Sequence, residues 1–142
     1  MIRLLALMAS FLVGCSSVTQ RSYPHVDQSH LWTAMIAIAN TPEYGSDDFR
    51  KRWIVLENEV DLKPNQGQID VRRIIHRSYQ LPRQKVQRDQ RDILFSVYLL
   101  PTNPLTIEFI NHSTKFFPVR GETEATRYFS SVEAMLDPAV VK

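Results

Sequence analysis

Cysteine occurs once in the 142 residues, so no disulfide can form within the chain. The four glycines, at 14, 45, 67 and 121, are too scattered for a Gly-rich phosphate cradle or a dinucleotide turn, both of which need clustered glycines at a close backbone approach. The four histidines, at 25, 30, 76 and 112, have neither a helical pair spacing nor cysteine partners. A zinc centre needs three or four ligands converging at about 2.0–2.3 Å, so no metal and no cofactor is expected. There is no Gly-x-Ser-x-Gly elbow, and Ser46-Asp47-Asp48 lacks the further alternate oxygen ligands of a calcium loop. What remains is ordinary: 44% hydrophobic and 23% charged residues with net charge +2, the composition of a globular chain whose length fits one domain.

The amino-terminal residues carry the most specific signal. Arg3 is followed by an apolar run over residues 4–13, interrupted only by Ser10, and closed by Leu12-Val13-Gly14-Cys15. Such a run is a secretory signal, too short for the roughly 20 residues that span a bilayer. Its last four residues resemble the lipobox of bacterial lipoproteins. The resemblance implies that Cys15 is thioether-linked to a diacylglycerol, that residues 1–14 are removed, and that the new amino terminus is acylated. Several acyl chains, each worth about 0.8 kcal/mol per buried CH₂, make a stable anchor. Ser16, where an aspartate would favour inner-membrane retention, implies an outer-membrane address facing the periplasm. The alternatives are an ordinary secretory peptide with an incidental cysteine, or a short anchoring helix.

The remainder divides into a tether over residues 15–28, one α+β domain over 29–137 and a tail over 138–142. The tether is polar, aperiodic and contains Pro24. Ser29 is a candidate N-cap for a largely buried helix over 30–40, stopped before Pro42. Residues 53–62 alternate Ile54, Leu56, Val60 and Leu62 against Glu57, Glu59 and Asp61, the period of a half-buried strand. Turn chemistry over 63–68 leads to a second strand over 69–79 with Ile69, Val71 and Ile75 inward. If the hairpin centres on Asn65 and Gln66, opposed residue numbers sum to 131, placing Glu59 across from Arg72, Leu62 across from Ile69 and Val60 across from Val71. The nearly continuous apolar run 92–100 predicts a central strand. A turn at Pro101-Thr102-Asn103-Pro104 and a return strand over 105–111 follow. A last helix opens near Gly121, with Ala125, Tyr128, Phe129, Val132, Met135 and Leu136 as its apolar stripe. Helix, four strands, helix is the order of a two-layer sandwich, with both helices on one face of an antiparallel sheet and the other face partly open.

Charge is distributed unevenly. Residues 50–91 hold eleven bases and five acids, a net +6 between flanks of −3 and −2. Arg50, Lys51, Arg52, Arg72, Arg77, Arg83, Lys85, Arg88 and Arg91 form a candidate anionic-surface patch, suited to lipid headgroups, envelope polymers or an acidic protein face. The patch lacks the aromatic interleaving of single-strand nucleic-acid binders, so no nucleic-acid partner is expected. Paired carboxylates on the first hairpin, Glu57, Glu59 and Asp61, raise general acid–base chemistry, but alternation on the solvent side of a hairpin is the more usual cause of such a row. The expectation is a membrane-anchored, non-catalytic envelope lipoprotein binding a protein partner or an anionic envelope component. The alternatives are a structural envelope lipoprotein without a dedicated partner and a small envelope hydrolase.

Overall fold

The computed structural model describes residues 17–45, 52–113 and 124–137. The order of elements is β1 (Ser17–Tyr23), α1 (Gln28–Asn40), β2 (Ile54–Lys63), a 3-10 turn (Pro64–Gln66), β3 (Gln68–Tyr79), β4 (Gln87–Leu100), β5 (Leu105–Asn111) and α2 (Glu124–Leu136). One antiparallel sheet runs β1-β5-β4-β3-β2. The α+β class is as the patterning predicts, but the sheet has five strands rather than four.

The additional strand, β1, lies inside the segment expected to be a tether. Its sequence SVTQRSY carries no hydrophobic period because it is an edge strand held by pairing with β5. Gln20 Nε2 donates to Glu108 Oε2 at 2.5 Å, and the Ser22 and Thr106 hydroxyls lie 3.2 Å apart. Tyr23 alone of the seven is buried.

Helix α1 begins two residues earlier than the sequence suggests. Asp27, not Ser29, is the N-cap, its carboxylate accepting from the Ser29 and His30 backbone N–H groups, which satisfies orphan donors of the first turn. The Ser29 hydroxyl also donates to that carboxylate. Chiefly this hydroxyl and the His30 N–H hold the Asp27 carboxyl below its ordinary range.

The first hairpin keeps the anticipated register: Glu59 faces Arg72, Val60 faces Val71 and Leu62 faces Ile69. It departs at the start of β2, where a register shift between Val55 and Glu57 inserts a bulge. The extra residue reverses the alternation, so Ile54 and Leu56, expected inward, are exposed, and Val55 packs inward instead. Bulges twist and protect free edges, and β2 is an edge. Strand β4 starts at Gln87 rather than at residue 92, because its polar first third pairs with β3 through Tyr79.

Both helices contribute to one core on a single sheet face. Leu31, Ala34, Met35 and Ala39 from α1 meet Ala125, Tyr128, Phe129 and Val132 from α2 over Ile69, Val71, Phe95, Val97, Ile107 and Phe109. Phe95 and Phe109 stack at 4.6 Å, and Tyr128 and Phe129 approach Phe109 at 5.9 and 6.2 Å with tilted or edge geometry, the arrangements aromatic quadrupoles favour. Tyr128 hands its hydroxyl proton to the Met35 carbonyl at 3.0 Å, tying the two helices together. Met135, assigned to the stripe by its spacing, is instead exposed at the last turn.

Candidate functional site

The strand lengths create an arm. β3 and β4 pair without a break from Gln68 opposite Tyr98 to Tyr79 opposite Gln87, whereas β2 stops opposite His76 and β5 stops opposite Phe95. The last residues of the β3–β4 pair therefore form a two-stranded ribbon beyond the sheet, closed by residues 80–86. Within that loop the Gln84 N–H donates to the Leu81 carbonyl at 3.0 Å. Pro82 and Arg83 occupy the centre of this turn, and Arg83 has φ of 63°. Proline followed by a positive φ is the arrangement of a type II turn, whose second central position favours glycine.

The root of the ribbon is clamped. The Arg77 and Arg91 guanidinium groups approach the Trp53 ring at 4.5 and 5.0 Å, and both pair with Asp89, at 3.4 and 3.2 Å. Cation–π contact and a shared carboxylate thus fix two arginines of the predicted patch to a buried tryptophan. Arg72 stands on the open sheet face, 3.7 Å from Glu59 in an exposed pair. Arg50 and Lys51 lie outside the described residues, and Arg52 precedes β2. Arg83, Lys85 and Arg88 are exposed and, among the described residues, make no ion pair. Between Gln80 and Arg88 there is no acidic residue. The structure therefore divides the basic segment into an ion-paired root and an unpaired cationic tip. At this tip Leu81 and Val86 are 49% and 58% exposed.

The open face carries a polar network over a shallow groove of about 570 Å³ lined by β2, β3 and β4. Asp70 accepts from Lys63 Nζ at 2.5 Å, Gln68 Nε2 at 2.8 Å and Ser96 Oγ at 2.6 Å. Burial opposes the Asp70 charge, but these three hydrogen bonds and the Lys63 cation outweigh it and hold the carboxyl below its ordinary range. Lys63 also lies 3.8 Å from Asp61, which faces Asp70 across the strands, so it offsets a like-charge opposition. Ser96 Oγ lies 2.9 Å from His112 Nε2. The order is carboxylate, serine, histidine. With its proton given to Asp70, Ser96 receives a proton from the imidazole and is not activated by it, the reverse of the relay a nucleophilic serine needs. Glu57 faces Ile74 and Glu59 faces Arg72, and neither hydrogen-bonds a histidine among the described residues. Among the described residues no group of three or more histidines, cysteines or acids is placed to hold a metal ion.

A second charged cluster is buried and was not foreseen. Arg73, next to Arg72 in sequence but on the core face, is 3% exposed. Its Nε donates to Asn58 Oδ1 at 2.8 Å, Nη1 to Tyr44 Oη at 2.8 Å and Glu124 Oε1 at 3.1 Å, and Nη2 to the Ala39 carbonyl at 3.1 Å. Five elements or loops meet at this one guanidinium, and its fork geometry suits that role. The only sequence signal is parity: Arg73 falls in step with Ile69, Val71 and Ile75.

Cys15 lies outside the described residues. No helix among the described residues is long and apolar enough to cross a membrane. No protein-family model matches the chain, and no curated protein matches it. Among solved structures, the crystal structure of a Chromobacterium violaceum protein from a structural genomics consortium is similar over 89% of this chain and 97% of its own, at 12% identity and a TM-score of 0.36. At that distance similarity transfers neither fold nor function.

Proposed function

We propose that the chain is an envelope lipoprotein, held at the outer membrane by acyl chains on Cys15 and facing the periplasm, whose domain binds an anionic envelope component rather than catalysing a reaction. The observation that carries the reading is the short apolar run over residues 4–13 closed by Leu12-Val13-Gly14-Cys15, a secretory signal that ends in a candidate lipid-bearing cysteine. The cationic tip, with Arg83, Lys85 and Arg88 free of ion pairs among the described residues, supports the anionic ligand. The serine–histidine order on the open face argues against a serine hydrolase there.

The test is Cys15→Ser followed by fractionation of cells. The reading expects the wild-type chain in the membrane fraction and the variant released from it. Retention of the variant in membranes would assign the anchor to the signal segment itself. A protein partner is favoured by a different observation: Ile54 and Leu56 are 54% and 53% exposed at the free edge formed by β2. Crosslinking in intact cells through a photoreactive group at position 56 would capture such a partner, and recovery of the uncrosslinked chain alone would count against it.

A further inference from the structure

We infer that the ribbon tip over residues 80–88 is a membrane-contact element, seated on anionic phospholipid of the same bilayer that holds the acyl chains of Cys15. Leu81 and Val86 enter the headgroup region, and Arg83, Lys85 and Arg88 pair with lipid phosphates. The inference rests on the lipoprotein reading above and adds the ligand of the basic segment.

Geometry is the first support. Ser17 pairs with Asn111, and Asn111 pairs with Phe95, so Ser17 lies at the level of Phe95. From there β4 runs eight residues back to Gln87, about 26 Å at roughly 3.3 Å per residue. Ser17 and the ribbon therefore lie toward the same end of the sheet, and two residues from Ser17 to Cys15 reach at most about 7 Å. A bilayer holding Cys15 is thus short of the tip by roughly 19 Å along the strands, while β4 lies only two strand spacings, about 10 Å, to the side of β1. When the ribbon end of the sheet faces that bilayer, the arm reaches it before the anchor does, and the sheet leans until the ribbon lies against the surface.

Composition is the second support. The tip pairs two half-exposed or more exposed aliphatic side chains with three cations and no acid over residues 80–88. Apolar groups for the acyl boundary and basic groups for phosphate are the two components of interfacial binding. Backbone conformation is the third. Arg83 holds a φ of 63° at a position where glycine makes the turn more easily, and strain kept at an exposed charged residue points to a use for the charge.

The experiment uses the lipidated, mature protein carrying Val86→Cys, the only reactive thiol when the Cys15 sulfur is a thioether. An environment-sensitive fluorophore on that thiol is read in vesicles of phosphatidylcholine alone and of phosphatidylcholine with 30% phosphatidylglycerol. The expected result is blue-shifted emission, quenched by shallow spin-labelled lipids, in the anionic vesicles. Adding Arg83→Gln, Lys85→Gln and Arg88→Gln together is expected to weaken tip binding about 100-fold, given roughly fivefold per basic residue. Water-like emission in both vesicle types, with acylated Cys15 confirmed by mass, overturns the inference and leaves the lipoprotein reading intact. An equal shift in the two vesicle types overturns the pairing with anionic headgroups. An unmodified Cys15 overturns the lipoprotein reading and this inference with it.

Discussion

Ser17 and Phe95 stand on either side of Asn111, each paired with it across the sheet. That shared partner fixes the level of Ser17 relative to the β3–β4 ribbon. Ser17 and the basic tip therefore lie toward the same end of the sheet. The proposed lipid contact depends on this relationship.

Arg73→Ala is expected to destabilise the domain by about 3–5 kcal/mol, because it removes the nearer cation from the buried Glu124, leaving Arg127 at 3.9 Å, and takes a donor from Tyr44 Oη and Asn58 Oδ1. Arg73→Lys is expected to recover little, since one ammonium cannot reproduce the fork. Urea denaturation followed by circular dichroism measures both. A loss under 1 kcal/mol for the alanine variant would show the cluster to be incidental.

Phe129→Ala is expected to cost about 3–5 kcal/mol, the range for a fully buried ring, with Phe129 at 0% exposure between Phe109 and Arg21. Tyr128→Phe keeps the packing and removes the side-chain hydrogen bond to the Met35 carbonyl, which retains its helical donor, a loss of about 0.5–1.5 kcal/mol. Thermal or chemical unfolding distinguishes the two, and equal losses would contradict this division of roles.

Gly67→Ala tests the first hairpin. Gly67 has φ of 61°, and a Cβ there would stand 2.9 Å from the Leu99 carbonyl oxygen, the neighbour whose N–H it binds through its own carbonyl at 2.8 Å. Left-handed strain alone costs about 1–2 kcal/mol for an L-residue, and the clash adds to it. An unfolding midpoint equal to wild type would refute the turn geometry.

The Asp70 carboxyl is held below its ordinary value in the fold. Its contribution is therefore complete above the unfolded value near 3.8 and is lost as pH falls through the lower folded value. Asp27 has the same sign. Stability is expected to decline as pH falls below about 4, and Asp70→Asn is expected to flatten that decline while lowering stability at pH 7. An unchanged slope between pH 5 and pH 2 in the variant would contradict the network.

The parts legible in sequence are those where one face decides. The β2–β3 register follows from turn chemistry and from Val60, Ile69 and Val71, because a one-residue slip would expose all of them; Leu62, expected inward, keeps its place opposite Ile69 but is 38% exposed near the end of the edge strand. The two helices follow from apolar stripes and from Pro42. Strand β1 was hidden because both its faces are mostly polar and its stability comes from β5, a partner about 90 residues away. The bulge near Leu56 was hidden because Ile54 and Leu56 continue an apparent alternation that the backbone interrupts. Of the nine basic residues assigned to the patch, the sequence could not separate tip from root. That division depends on Asp89 and Trp53, which reach Arg77 and Arg91 only through the fold.

The most direct test is the intact mass of the natural chain extracted from bacterial membranes. The account predicts a polypeptide beginning at Cys15 with the added mass of a diacylglycerol thioether and an amide-linked acyl chain. A chain that retains residues 1–14 and a free Cys15 thiol would contradict it.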